Sequence, residues 1–330
     1  MITRRLSCGR IGWAIAIAWQ GFGSPVAIAA PPAHAMRLLV CGPRTAIVAI
    51  SPEHPEGVVE WNWGVSSREG WLLPDGNVLL AVSKASRLPN GDALPGGAAV
   101  EIRRGTDGAK DEIVWHYDGT QAEVNSIQKT EVGTYVLTEA GPKPRLLEIA
   151  ADGTVKTEVA LACQKANAHM QSRMARKQAD GTFLVPHLLD FAIIRYGADG
   201  AVLSKIDTHV PGEPNVKSWP FTAIALPDGG ILAALTNGNR VVEFAPDGTI
   251  RWQVTGSDTA GAINDACGAQ RLPNGNTMIA SYRIGKDGVR LLEVSPEKQV
   301  VWAWKAAVPA VHHFHVFEID GKPVPHPAMR

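Results

Sequence analysis

Cysteine is scarce in this chain, with four in 330 residues. Cys8 lies in a basic leader, and Cys41, Cys163 and Cys267 allow at most one intramolecular disulfide. A disulfide-held scaffold is therefore excluded, and stability must come from packed apolar surfaces. Lysine and arginine balance aspartate and glutamate at 32 each, so the basic stripe that nucleic acid or an anionic membrane demands is missing. The N-terminal apolar run, Ile11 to Trp19, is far shorter than the roughly 20 residues of a bilayer-spanning helix. No Gly-x-Ser-x-Gly elbow, Walker loop or dinucleotide fingerprint occurs, which removes the standard nucleophile and nucleotide chemistries.

What the chain does have is a two-hairpin unit that recurs about six times. The first hairpin turns at Leu73-Pro74-Asp75-Gly76-Asn77, Val132-Gly133-Thr134, Ala179-Asp180-Gly181-Thr182, Leu226-Pro227-Asp228-Gly229-Gly230 and Leu272-Pro273-Asn274-Gly275-Asn276. Each is a tight turn between β-prone apolar runs. The second turns at Asp152-Gly153, Asp199-Gly200 and Asp247-Gly248, with weaker copies near Gly57, Gly108 and Glu297. Gly133, Gly181, Gly229 and Gly275 are 48, 48 and 46 residues apart, the spacing of four-stranded propeller blades. The second hairpin occurs six times and the first five, so one blade lacks its opening hairpin. Phe314 to Ile319 reads as an inner strand, and Met36 to Cys41 as the strand that should follow it. Pairing them closes the ring and removes two exposed edges. The expectation is an all-β fold: one six-bladed β-propeller of four-stranded antiparallel blades, over residues 36–330, with the first blade closed by the N- and C-terminal strands.

Residues 1–35 stand apart from that ring. Arg4, Arg5 and Arg10 precede the apolar run with no acid among them, and Ala33-His34-Ala35 offers a small-x-small cleavage site. This is the pattern of a secretory signal peptide, so the chain is expected to be exported, to the periplasm or beyond. Its removal leaves 29 basic against 32 acidic residues. The expected partner is a glycan, a small anion or a protein bound by a monomer, with no nucleic acid and no membrane span.

The loops place the site. The Asp-Gly turns at one end of the ring are too short to shape a pocket, whereas residues 83–98, 161–170, 208–217 and 256–264 at the other end are long and polar. Binding groups concentrate on such loops over a rigid scaffold. Eight positions before each turn glycine lie Arg68, Asn125, Arg173, Phe221, Cys267 and His313, and ten before lie Ser66, Glu123, Gln171, Trp219, Asp265 and Val311. The turns repeat while these strand entries differ, which points to an asymmetric polar pocket around the axis.

Arg68, Asn125, Arg173, His187, Trp219 and Asp265 are the candidate ligand-binding residues, and His169 and His313 the candidate catalytic ones. A guanidinium offers a planar fork to a carboxylate, sulfate or phosphate, and Arg173 is the preferred anion contact. Asp190, Asp265, Glu123 and Glu139 supply acids beside it. Trp219 is the preferred stacking surface, while Trp61, Trp63, Trp115, Trp252, Trp302 and Trp304 follow the second turns as blade-packing residues would. Strand alternation places His313 and His315 on the pocket side and His312 on the other. Converging imidazoles can hold a metal or move a proton, but His-x-His lacks a ligand pattern of known spacing, so no metal is expected.

Val241-Val242-Glu243-Phe244-Ala245-Pro246-Asp247-Gly248-Thr249-Ile250-Arg251-Trp252 and its copies resemble the repeats of quinoprotein-like propellers, the pyrroloquinoline-quinone-repeat family. The Leu-Pro-Asp/Asn-Gly-Asn motif is also similar to that of arylsulfotransferase-type propellers. Those quinoproteins have eight blades and a cofactor held against a vicinal disulfide; this chain has about six and no adjacent cysteines, so no cofactor is carried over. The sulfotransferase resemblance implies a catalytic histidine near the channel, a role open to His169 or His313. Two functions follow: a non-catalytic recognition protein, or an enzyme of the carbohydrate lyase, hydrolase or sulfuryl-transfer kind on the same face.

Overall fold

A computed structural model of the chain describes residues 31–106, 109–164, 167–305 and 308–325. The charged and apolar parts of the expected signal peptide lie outside these. Among the described residues no helix is long and apolar enough to cross a membrane.

Asx chemistry and positive φ build the repeat. At Leu73 to Asn77 the Asp75 carboxylate accepts from the Asn77 amide at 3.0 Å, the Gly76 amide donates to the Leu73 carbonyl at 2.9 Å, and Gly76 sits at φ +85°. An L side chain is strained there, which is why the motif ends in glycine. The same geometry recurs at Asn274 to Asn276.

These hairpins assemble six antiparallel blades. Blade 2 runs Ser67–Leu72, Val78–Val82, Ala98–Arg103, Glu112–Asp118 from axis to rim; blade 3 spans 123–160, blade 4 176–207, blade 5 219–255 and blade 6 266–304. Blade 1 is closed as expected: His313–Ile319 is its inner strand and pairs antiparallel with Met36–Cys41, followed by Thr45–Ile50 and Val58–Trp63. Lys322–Pro323 adds a short fifth strand at the axis.

Burial follows position in the blade. Val78–Val82 is buried throughout because blades cover both its faces, while the outer strand Glu112–Asp118 alternates between exposed and half-buried. Apolar clusters fill each seam, such as Met36, Leu38, Val48 and Trp302 between blades 1 and 6. Most of the repeat tryptophans bridge neighbours. Trp61 Nε1 donates to Asp111 in blade 2, Trp115 stacks on Tyr135 of blade 3 at 3.6 Å, Trp252 donates to the Pro296 carbonyl of blade 6 at 2.7 Å, and Trp304 to the Glu56 carbonyl of blade 1 at 3.0 Å. Cys41, Cys163 and Cys267 are all buried free thiols.

Candidate functional site

The first strand of each blade lines the axis, and its entry is not regular ladder. The pairing register shifts by one between Ser67 and Glu69, between Val124 and Ser126, and between Pro220 and Thr222. Arg68, Asn125 and Phe221 are thus bulged residues, and a bulge re-aims its side chain. In blade 6 the irregularity covers Cys267 and Gly268. Blades 2, 3 and 5 therefore share a device that re-aims one residue at the strand entry.

The polar centre of that mouth is Glu123, buried at 1% exposure. Lys84 Nζ reaches its carboxylate at 2.5 Å, His169 Nδ1 lies 3.1 Å from both oxygens, and Arg173 and Arg68 stand at 3.8 and 3.9 Å. Burial alone would raise this carboxyl, but the His169 and Lys84 hydrogen bonds and the Arg173 charge outweigh it and hold it at about 2. Three cations from blades 2 and 4 thus face one carboxylate, leaving an excess of positive charge.

Arg68 and His312 meet on the opposite side. Arg68 Nη1 lies 3.3 Å from His312 Nε2, and the ring stacks on Tyr282 at 4.2 Å and faces Phe221 at 6.3 Å. Burial, with the Arg68 and Arg173 charges, pushes His312 down to about 3. A neutral imidazole that accepts from arginine on Nε2 must carry its proton on Nδ1, and that buried Nδ1 has no partner. The same is true of Asn125 Oδ1 and Nδ2, Ser172 Oγ, Arg173 Nε and Trp219 Nε1. Each such group costs about 1–3 kcal/mol, so each calls for an explanation.

Below the mouth the axis is filled. Arg176 of blade 4 pairs with Glu69 of blade 2 across the ring, both buried, and lies 4.7 Å over the Trp71 ring. This buried pair crosses the axis below the mouth.

The structure brings Arg68, His169 and Arg173 together around Glu123, keeps Asn125 and Trp219 near the starts of their inner strands, and distributes the other expected residues elsewhere. Arg173 is 1% exposed, and its two terminal nitrogens donate to the Ser172 and His169 carbonyls; its fork is occupied, and Arg68, at 14% side-chain exposure, is the arginine that faces out. His313 does not face the mouth. Its Nδ1 accepts from the Gly70 amide at 3.4 Å and its ring meets Trp71 at 4.8 Å. Counting from Gly321 misplaced it because that turn leads to the extra strand Lys322–Pro323, and because a bulge at Phe317 shifts the register by one. His312 takes the position instead.

His187 turns into the seam between blades 3 and 4, beside Cys163 and Tyr196. Asp265 is saturated by Thr236, the Asn237 amide and Arg283. Lys84 and Tyr282, which sequence reasoning missed, directly follow second strands. The signal was present at those strand exits, where only entries had been compared.

No family model matches the chain, and no curated protein matches it in sequence. Solved structures do. A Bacteroides caccae protein of unknown function is 19% identical with TM-score 0.66, over 85% of this chain and 98% of that one. Virginiamycin B lyase from Staphylococcus aureus, in a catalytically inactive form with quinupristin, is 12% identical with TM-score 0.53, over 84% and 87%. The periplasmic gluconolactonase of Pseudomonas aeruginosa is 15% identical with TM-score 0.53, over 86% and 84%. The shared property is the propeller fold. Identities this low carry the architecture and not the chemistry.

Proposed function

We propose that this chain is an exported recognition propeller that binds a small organic anion, a carboxylate or sulfate ester of acidic-sugar size, at the channel mouth. The observation that carries the reading is Asn125: a carboxamide 1% exposed, with both its donor and its acceptor unpartnered. A ligand bearing a hydroxyl or carboxylate satisfies both atoms, and a second acceptor on it would satisfy the Nδ1–H of His312. Arg68 and Lys84 supply the attraction for negative charge, and Trp219 offers a ring edge with an unpaired Nε1.

A second reading rests on His169. Its Nδ1 donates to the ionised Glu123, which leaves Nε2 as a base on a side chain 43% exposed. Lyase or lactone hydrolysis would suit such a pair, and proteins named for those two activities share the fold.

Calorimetry of the mature protein with D-glucuronate and 4-nitrophenyl sulfate, against D-glucose and 4-nitroanisole, tests the first reading. The anions should bind and the neutral counterparts should not, and Arg68→Gln should weaken binding by about 10- to 100-fold, the value of a charge-assisted contact. Equal binding of charged and neutral members refutes it. Ring opening of D-glucono-1,5-lactone, or an unsaturated product eliminated from an oligouronate, lost by about 10²-fold or more in His169→Ala, establishes the second reading.

A further inference from the structure

One polar cluster lies outside the mouth, in the seam between blades 3 and 4. Cys163 follows the outer strand Val155–Ala160, His187 ends the second strand Phe183–His187, and Asp190 sits in the turn after it. Cys163 Sγ is 3.3 Å and Asp190 Oδ2 3.4 Å from the same atom, His187 Nδ1, and the three ligand atoms lie within 4.8 Å of one another.

As a hydrogen-bond arrangement this is poor. A ring nitrogen has either one proton or one lone pair, so Nδ1 makes a full-strength bond to only one of the two groups, or a weaker shared one to both. As a coordination shell, the nitrogen–sulfur and nitrogen–oxygen separations fit. Bonds of about 2.0–2.3 Å to nitrogen, oxygen and sulfur place tetrahedral ligand atoms roughly 3.2–3.7 Å apart. We propose that Cys163, His187 and Asp190 form a zinc site that staples blade 3 to blade 4, independent of the reading at the mouth.

The surroundings support it. His187 Nε2 is 3.1 Å from the Tyr196 hydroxyl, which also receives the Ala162 amide at 3.4 Å. Nε2–H donation to that oxygen leaves the Nδ1 lone pair directed at the centre, the usual outer-shell arrangement for a metal-bound histidine. The Gln164 amide donates to Asp190 Oδ2 at 3.2 Å, and its side chain to the Leu189 carbonyl at 2.9 Å, tying the two loops together. The donor set selects the ion: one sulfur, one nitrogen and one oxygen suit Zn²⁺, whereas Mg²⁺ and Ca²⁺ require oxygen shells. Cys163 would bind zinc as the thiolate, so binding releases its proton and affinity should rise with pH. Asp190, at 19% side-chain exposure, marks the way in and leaves a fourth position for water.

The test uses the chelator-stripped mature protein, titrated with ZnCl₂ against a chromophoric chelator and separately with CoCl₂. One equivalent of zinc per chain, with a thiolate-to-cobalt charge-transfer band in the near ultraviolet, is expected. Cys163→Ser should abolish that band and weaken zinc by at least about 100-fold, and Tyr196→Phe should weaken it by about 10- to 100-fold, the range for outer-shell partners. Asp190→Asn, in a half-buried turn, weakens zinc similarly and decides the matter should Cys163→Ser fail to fold. Less than one equivalent of zinc, cobalt binding without the band, or zinc affinity unchanged in Asp190→Asn would overturn the site.

Discussion

Arg68 of blade 2 donates through Nη1 to Nε2 of His312 in blade 1 at 3.3 Å, and that one contact fixes which proton His312 presents to the mouth. His312→Leu removes both the acceptor for Arg68 and the outward Nδ1–H. Affinity for the anion that the wild type binds should fall by about 10- to 100-fold with little loss of fold. His313→Leu should do the reverse, lowering the unfolding free energy by about 1–3 kcal/mol through the Gly70 amide and Trp71 packing while leaving affinity unchanged. Calorimetry and urea unfolding on both variants check the pair. Loss of affinity in His313→Leu alone would place the mouth on the wrong histidine.

Glu69 and Arg176 form a buried pair across the axis, with Glu69 Oε2 also accepting from the Ile127 amide at 2.9 Å. Glu69→Gln leaves the Arg176 charge uncompensated and should destabilise the protein by about 3–5 kcal/mol. Urea denaturation measures it. A change under about 1 kcal/mol would mean that water reaches Arg176 and the axis is open.

Acid should loosen the ring before Glu123 titrates. Burial, with nearby positive charge for the first two, depresses His312, His313 and His315 below the ordinary histidine value, His312 and His315 to about 3. A group depressed in the folded state contributes fully above its unfolded value, about 6.5, and loses that contribution as pH falls toward its folded value. Between pH 7.5 and 5.5 each should remove about 1.4 kcal/mol, roughly 4 kcal/mol in all. Glu123, held at about 2, withdraws its share only below about 4.5. Urea unfolding at the two pH values tests this, and a flat profile contradicts it.

The ring was legible in the sequence because its determinants are local. Turn glycines at positive φ, the Asx bonds before them and the hairpin count lead directly to six blades and to the closure of Met36–Cys41 on His313–Ile319. The repeats that resemble quinoprotein propellers consist of these turns and blade-bridging tryptophans, which serve architecture and say little of chemistry. The site was half legible. Arg68 and Asn125 emerged because the bulge holds the same place in blades 2, 3 and 5, but a bulge at Phe317 displaced His313 by one residue. His187 and Asp265 stand near strand ends yet turn into a seam and a loop clamp, a choice made by neighbours distant in sequence. Lys84 and Tyr282 belong to strand exits.

Asn125→Leu is the most direct test, read as binding and stability on the same sample. If the unpaired carboxamide exists to meet a ligand, its apolar isostere should unfold at equal or higher urea, because a buried unpartnered polar group costs about 1–3 kcal/mol, and should bind the preferred anion at least about tenfold more weakly. Undiminished affinity, or a protein destabilised by more than about 1 kcal/mol, would contradict the account, because Asn125 would then serve the fold and not the mouth.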